Sequence, residues 1–149
     1  MNGQSAQVTA LLEAGIDANL KDRKGRTPLM YESFNGHTEV IKGLVKKGAD
    51  INLQDIYGRS ALMMASSGPY PITVILLLDH GADPNLIDKV EHFTALMYAA
   101  AEGQLDVVKL LLAHGADPGM KDVDGDNALT FAANNEHSEV VSLLKSINK

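Results

Sequence analysis

The chain has 149 residues, of which 45% are hydrophobic and 21% charged, a balance that suits one globular domain or one short repeat array and is too apolar for disorder. Cys is absent, which excludes disulfide frameworks and thiol chemistry. The formal charge of -6 argues against general binding to nucleic acid or anionic membranes, since both begin by neutralising phosphate.

Taken in chain order, the first predicted element is a helix running from Gly3 toward Gly15 and carrying Val8, Leu11 and Leu12. A turn rich in Asp, Asn, Gly and Lys follows. Thr27 is then a good N-cap, and Pro28 sits at the first helical position, where its missing N–H costs nothing. That helix is short, because Gly36 interrupts it. Val40, Ile41, Leu44 and Val45 lay one apolar stripe along a second helix, which Gly48 ends in the left-handed C-cap position. The same sequence of events restarts at the N-cap residues Ser60, Thr94 and Asn127. Between the second pair of helices, Pro69 and Pro71 flank Tyr70 and stiffen the link. Val107, Val108, Leu111 and Leu112 repeat the earlier stripe. Asn134, Asn135, Ser138, Ser142, Lys145 and Ser146 make the last helix pair polar, as a terminal repeat with a wet outer face requires. The longest apolar run, Val74 to Leu78, is too short to cross a bilayer, and Met1-Asn2-Gly3-Gln4 reads as no signal peptide, so a cytoplasmic location is expected.

The elements recur with a fixed beat. Leu-Leu-Glu-Ala-Gly-Ile-Asp-Ala-Asn (11–19) is matched at 44–52, 77–85 and 111–119, with glycines at Gly15, Gly48, Gly81 and Gly115. Gly25-Arg-Thr-Pro-Leu-Met, Gly58-Arg-Ser-Ala-Leu-Met, His92-Phe-Thr-Ala-Leu-Met and Gly125-Asp-Asn-Ala-Leu-Thr keep the same phase. Gly-x-Thr-Pro-Leu, a two-helix unit and Leu-Leu-x-x-Gly-Ala-Asp-x-Asn at this period resemble the ankyrin repeat. The resemblance implies an all-α ankyrin-repeat solenoid of stacked antiparallel helix pairs with projecting β-hairpin-like loops. One domain, 1–149, is expected: a partial first repeat at 3–20, complete repeats at 21–53, 54–86 and 87–120, and a C-terminal capping repeat at 121–149.

Four departures from the family pattern are visible. The His expected after Thr-Pro-Leu is Met30, Met63, Met97 and then Thr130, which substitutes a flexible apolar filler for a hydrogen-bonding residue. Lys89-Val90-Glu91-His92 holds one extra residue and lacks the turn glycine, so the third loop should bulge. The Pro69-Tyr70-Pro71 link is the third. Finally, the first repeat lacks its first helix, which leaves Val8, Leu11 and Leu12 an uncovered side. The expectation there is a trimmed chain or missing upstream residues rather than a natural polar cap.

Catalytic and metal motifs find little support. Asp122, Asp124 and Asp126 imitate the first ligands of an EF-hand loop, but Asn127 stands where its glycine is needed and Ala133 where its bidentate Glu is needed. The five His show no ligand spacing; His37 and His137 share one repeat register, His80 and His114 another, and His92 is expected at the surface. Ser33, Ser66 and Ser67 lie in no nucleophile elbow, and no phosphate-cradling glycine loop exists. No enzyme activity, metal or cofactor is expected.

Ankyrin-like proteins touch partners with the residues around the loop Asp and Gly and with the exposed end of the first helix. Carried over by position, this gives Arg23, Lys24, Arg26 and Phe34 in the first loop and helix, then Ile56, Tyr57 and Arg59. The third repeat contributes Lys89, Val90, Phe93 and Glu102, and the last Asp124 and Asp126. Residues 1–60 hold 8 Lys/Arg and 7 Asp/Glu, whereas residues 61–149 hold 5 and 12, so the concave face should carry a charge gradient able to orient a partner. Ile56, Tyr57, Val90 and Phe93 place apolar groups on turns amid charge, as interface hot spots do, unless they pack on a neighbouring loop. The reading is a protein–protein interaction module (adaptor, scaffold or inhibitor) that binds a protein or peptide, with no nucleic acid and no membrane. The alternative is a structural spacer or dimerisation segment of a longer protein. A monomer is expected, with self-association through the uncapped N-terminal helix as the other outcome. Asn19, Asn52 and Asn85 match a position hydroxylated in some ankyrin-type proteins.

Overall fold

Every helix pair in the chain buries too little by itself, and stacking completes the core. The computed structural model describes residues 3–147; the expectations that fall on residues 1–2 and 148–149 lie outside the described residues. In chain order the helices are α1 (Gly3–Glu13), α2 (Pro28–Phe34), α3 (Thr38–Lys46), α4 (Ala61–Ser66), α5 (Pro71–Asp79), α6 (Ala95–Ala101), α7 (Leu105–Ala113), α8 (Ala128–Asn134) and α9 (Ser138–Ile147). No strand occurs among the described residues; an isolated bridge joins Gln54 and Ser60. The short helices α2, α4, α6 and α8 pack on one another in an inner row, and α1, α3, α5, α7 and α9 form an outer row behind them. One continuous core of Leu, Val, Ile, Ala and Met runs between the rows, including Ile41, Leu44, Leu77, Val108, Leu111 and Leu144.

The inner helices begin where their caps dictate. Thr27, Ser60, Thr94 and Asn127 each accept a bond from the backbone N–H three residues on. The methionines at that third position are more than fillers. Met30, Met63 and Met97 are buried, and their sulfurs accept the N–H of Thr27, Ser60 and Thr94 at 3.5, 3.4 and 3.5 Å. Thioether sulfur is a weak acceptor, but here it closes a reciprocal cap as well as filling volume.

The repeats are stitched together by side chains of one register. Asn19 donates to Gly48 O and accepts from Asp50 N; Asn52 does the same with Gly81 and Asp83, and Asn85 with Gly115 and Asp117. The loops add backbone links, from Ile56 N to Lys24 O, Lys89 N to Tyr57 O and Val123 N to Glu91 O. The Tyr70 ring lies so close over Gly36 that a Cβ there would overlap it, and His137 covers Gly103 in the same way. The stiff Pro69-Tyr70-Pro71 link therefore positions a ring between repeats.

The third loop carries its extra residue between Asp88 and Phe93, joined by Asp88 N to Phe93 O where the first two loops join Asp22 to Arg26 and Asp55 to Arg59. His92 takes the left-handed conformation, φ 62°, that Gly25, Gly58 and Gly125 adopt in the other loops. At the N-terminal side Leu12 is buried and Val8 half-buried, while Leu11, Ile16 and Leu20 are exposed. In the last pair Val140 and Leu144 are buried, and the six polar residues named above are all exposed.

Candidate partner-binding face

The face presented by the inner row is set by the register four residues after each cap: Tyr31, Met64, Tyr98 and Phe131. Between the first three repeats it forms an open groove of about 490 Å³, lined by Arg26, Tyr31, Phe34, Arg59, Met64 and Tyr98 among others. Phe34 is 61% exposed and Tyr31 40%, which is high for aromatic rings on a folded surface.

Both arginines are held in place. Arg26 donates from Nε and Nη2 to Asp22 Oδ2 at 3.0 and 2.8 Å, and Arg59 donates to Asp55 Oδ2 at the same two distances. The remaining nitrogen of each fork, Nη1, makes no hydrogen bond among the described residues. Each guanidinium also lies by a tyrosine ring, Arg26 at 4.5 Å from the centroid of Tyr31 and Arg59 at 5.0 Å from that of Tyr57. The Asp22 carboxyl is held well below the usual carboxylate range, first by the Arg26 backbone N–H and then by Tyr31 and the Arg26 side chain. The hydrogen bonds to Asp22 in turn raise the pKa of both Arg26 and Tyr31.

The third repeat breaks this pattern. Phe93 stands at the register of Arg26 and Arg59, so Asp88 receives no guanidinium from its own loop. Its Oδ2 accepts the Tyr98 hydroxyl at 3.0 Å, and Oδ1 accepts the N–H groups of Val90 and Glu91. Burial, and then the Asp88 charge, push the Tyr98 phenol up to about 12. Phe93 is half-buried and meets Tyr98 and Phe131 edge-on at 5.6 and 4.8 Å. A second, shallower groove of about 250 Å³ lies here, lined by Tyr57, Asp88, Val90, Glu91, Phe93 and others.

Of the residues read from the sequence, Arg26, Phe34 and Arg59 thus meet in the first groove, and Tyr57, Arg59, Val90 and Phe93 in the second. Arg23, Lys24, Ile56 and Lys89 are exposed on the loops outside both grooves, and Glu102, Asp124 and Asp126 line neither. Sequence reasoning missed Tyr31, Met64 and Tyr98. The available sign was the recurrence of large side chains at one register of the inner helix.

Ser33 and Ser66 are fully buried, with hydroxyls that meet no partner, and Ser67 donates to Met64 O. Asp122 Oδ1 accepts the N–H groups of Asp124 and Asp126 within its own turn. No group of three or more His, Asp or Glu is placed to hold a metal ion, and no helix is long and apolar enough to cross a membrane, among the described residues.

The family model for ankyrin repeats (3 copies) matches residues 1–88 and again residues 70–149, so the two matches span the chain. The chain belongs to the ankyrin repeat family. Among curated proteins no match to it is found. Ankyrin repeats are in general protein–protein interaction modules and non-catalytic.

Proposed function

We propose that this ankyrin stack is an adaptor, scaffold or inhibitor that holds a protein or peptide in the inner-row groove and against the loop tips. The observation that carries the reading is the placement of the exposed Phe34 and Tyr31 beside two guanidiniums already fixed by Asp22 and Asp55. Groups held in place before binding lose little freedom on binding, so their contacts add to affinity with little offset. Aromatic rings and arginines are also the side chains that dominate interface energetics. Tyr57 and Val90 extend the apolar surface toward the second groove, while Arg23, Lys24 and Lys89 give it a charged rim.

The test is affinity capture from native lysate with this chain and with a Phe34→Ala/Tyr57→Ala variant matched in helicity and melting temperature. Both rings are exposed, so the fold should tolerate their loss. Removal of two interface hot spots weakens binding by about 2 kcal/mol or more, which predicts a partner held by the first chain and lost by the second. A partner retained equally by both would move the site off this face.

A further inference from the structure

The charge of the four loops changes in one direction along the stack. Residues 21–26 hold four basic side chains and one acidic, net +3, and residues 54–59 hold one of each. Residues 87–93 hold one basic and two acidic, net -1, and residues 121–126 one basic and three acidic, net -2. The residue just before each cap repeats this order as Arg26, Arg59, Phe93 and Asp126. Between the charged loops the first groove presents Phe34, Met64 and Tyr98.

The two arginines and the aspartates beyond them ask for opposite charges. Nη1 of Arg26 and of Arg59 retains N–H donors at the groove, and Lys21, Arg23 and Lys24 stand exposed beside them with no ion pair among the described residues. In the third and fourth loops carboxylates outnumber cations, and Arg59 is the guanidinium that shares the second groove with Asp88 and Glu91. Asp88, 3% exposed, takes only the Tyr98 hydroxyl on the oxygen that binds a guanidinium in the first two repeats. Glu91 lies in the same groove, and Asp124 and Asp126 follow. Inner helices pack about 10 Å apart, so four of them span about 30 Å. An extended segment of about ten residues covers that distance.

Resting on the concave-face reading above, we infer that the partner element is an extended segment with three parts in order. Its acidic end lies over the first two repeats, bulky apolar side chains sit on Phe34, Met64 and Tyr98, and its basic end reaches the exposed Glu91 and, in the last loop, Asp124. A uniformly acidic segment would meet repulsion at the last two repeats, and a uniformly basic one at the first. Complementary charge of this kind sets orientation and discriminates against wrong partners more than it adds affinity.

The inference is tested by selecting a random display library of peptides about twelve residues long on the full chain. Enriched peptides, made synthetically, are then titrated by fluorescence anisotropy. The result expected is an apolar centre with acid segregated to one flank and base to the other. Scrambling the flanks, or reversing the rim with Lys24→Glu/Asp124→Lys, should weaken binding about tenfold. Both substituted side chains are exposed and unbonded, and a circular dichroism melt checks the fold. Phe34→Ala should weaken the same peptides without changing which flank is acidic. Enrichment with unsegregated charge, or equal affinity for the charge-reversed variant, overturns the charge order and leaves the concave-face reading standing. No enrichment at all overturns the extended segment as the partner element, while the capture experiment with Phe34→Ala/Tyr57→Ala decides the concave-face reading separately.

Discussion

Asp22, Asp55 and Asp88 share a register and a job, since each ties down its own loop through backbone N–H groups, yet their outer oxygens meet different partners. Asp22 receives a guanidinium fork and the Tyr31 phenol, Asp55 a fork, and Asp88 the Tyr98 phenol without a fork. The consequence is measurable at Tyr98. Its phenol is raised in the folded protein from an ordinary value of 10.0 to about 12 by burial and by Asp88. A folded-state pKa above the unfolded one means that the unfolded chain releases the proton first, so the stability contributed by protonated Tyr98 is complete below pH 10 and lost as pH rises toward 12. Spectrophotometric titration should show Tyr31 and Tyr98 ionising late, and Tyr98→Phe should remove part of that late component. Ionisation of Tyr98 at the ordinary value of 10.0 would contradict the assignment.

Among the elements, the inner helices are only six or seven residues long, below what a helix sustains alone in water. Their caps and their burial in the stack supply the rest. Ser60→Ala removes the side-chain cap of α4 and is expected to cost about 1 kcal/mol in urea denaturation. Met63→Leu keeps the volume and loses only the sulfur acceptor, so its cost should stay under about 1.5 kcal/mol. Equal and large losses would mean that the thioether bond matters as much as the hydroxyl one. The caps were legible in the sequence, because Thr27, Ser60, Thr94 and Asn127 recur in phase and only a few residue types fill that role. The methionines were not. Sequence marks Met as apolar, and only the backbone geometry of the cap shows its sulfur facing an N–H.

The whole molecule is held as a chain of neighbours. Asn52 bridges adjacent repeats through Gly81 O and Asp83 N, and Asn52→Ala should lower stability by about 1–3 kcal/mol. Because the lost bonds lie between repeats, the urea transition should also broaden as cooperativity weakens. A sharp, unshifted transition would remove the asparagine ladder from the account.

The stack itself was written in the 33-residue beat, and the charge gradient in a count of side chains. The groove was only half legible. Phe34 and the loop arginines follow from their repeat positions, but the pairing of Arg26 with Asp22 and of Tyr98 with Asp88 depends on which way side chains turn across the cap. Phe93 shows the same limit from the other side: placed on a turn by sequence, it folds inward between Tyr98 and Phe131.

The proposal is that partners bind the inner-row face. Its most direct test replaces Phe34, in the groove, or Ile72, 66% exposed on the outer-row helix α5, with a photo-crosslinking phenylalanine derivative in otherwise identical chains. Irradiation with native lysate should give a discrete protein adduct from position 34 and none from position 72. An adduct from position 72 with none from position 34 would contradict the account and turn the binding face outward.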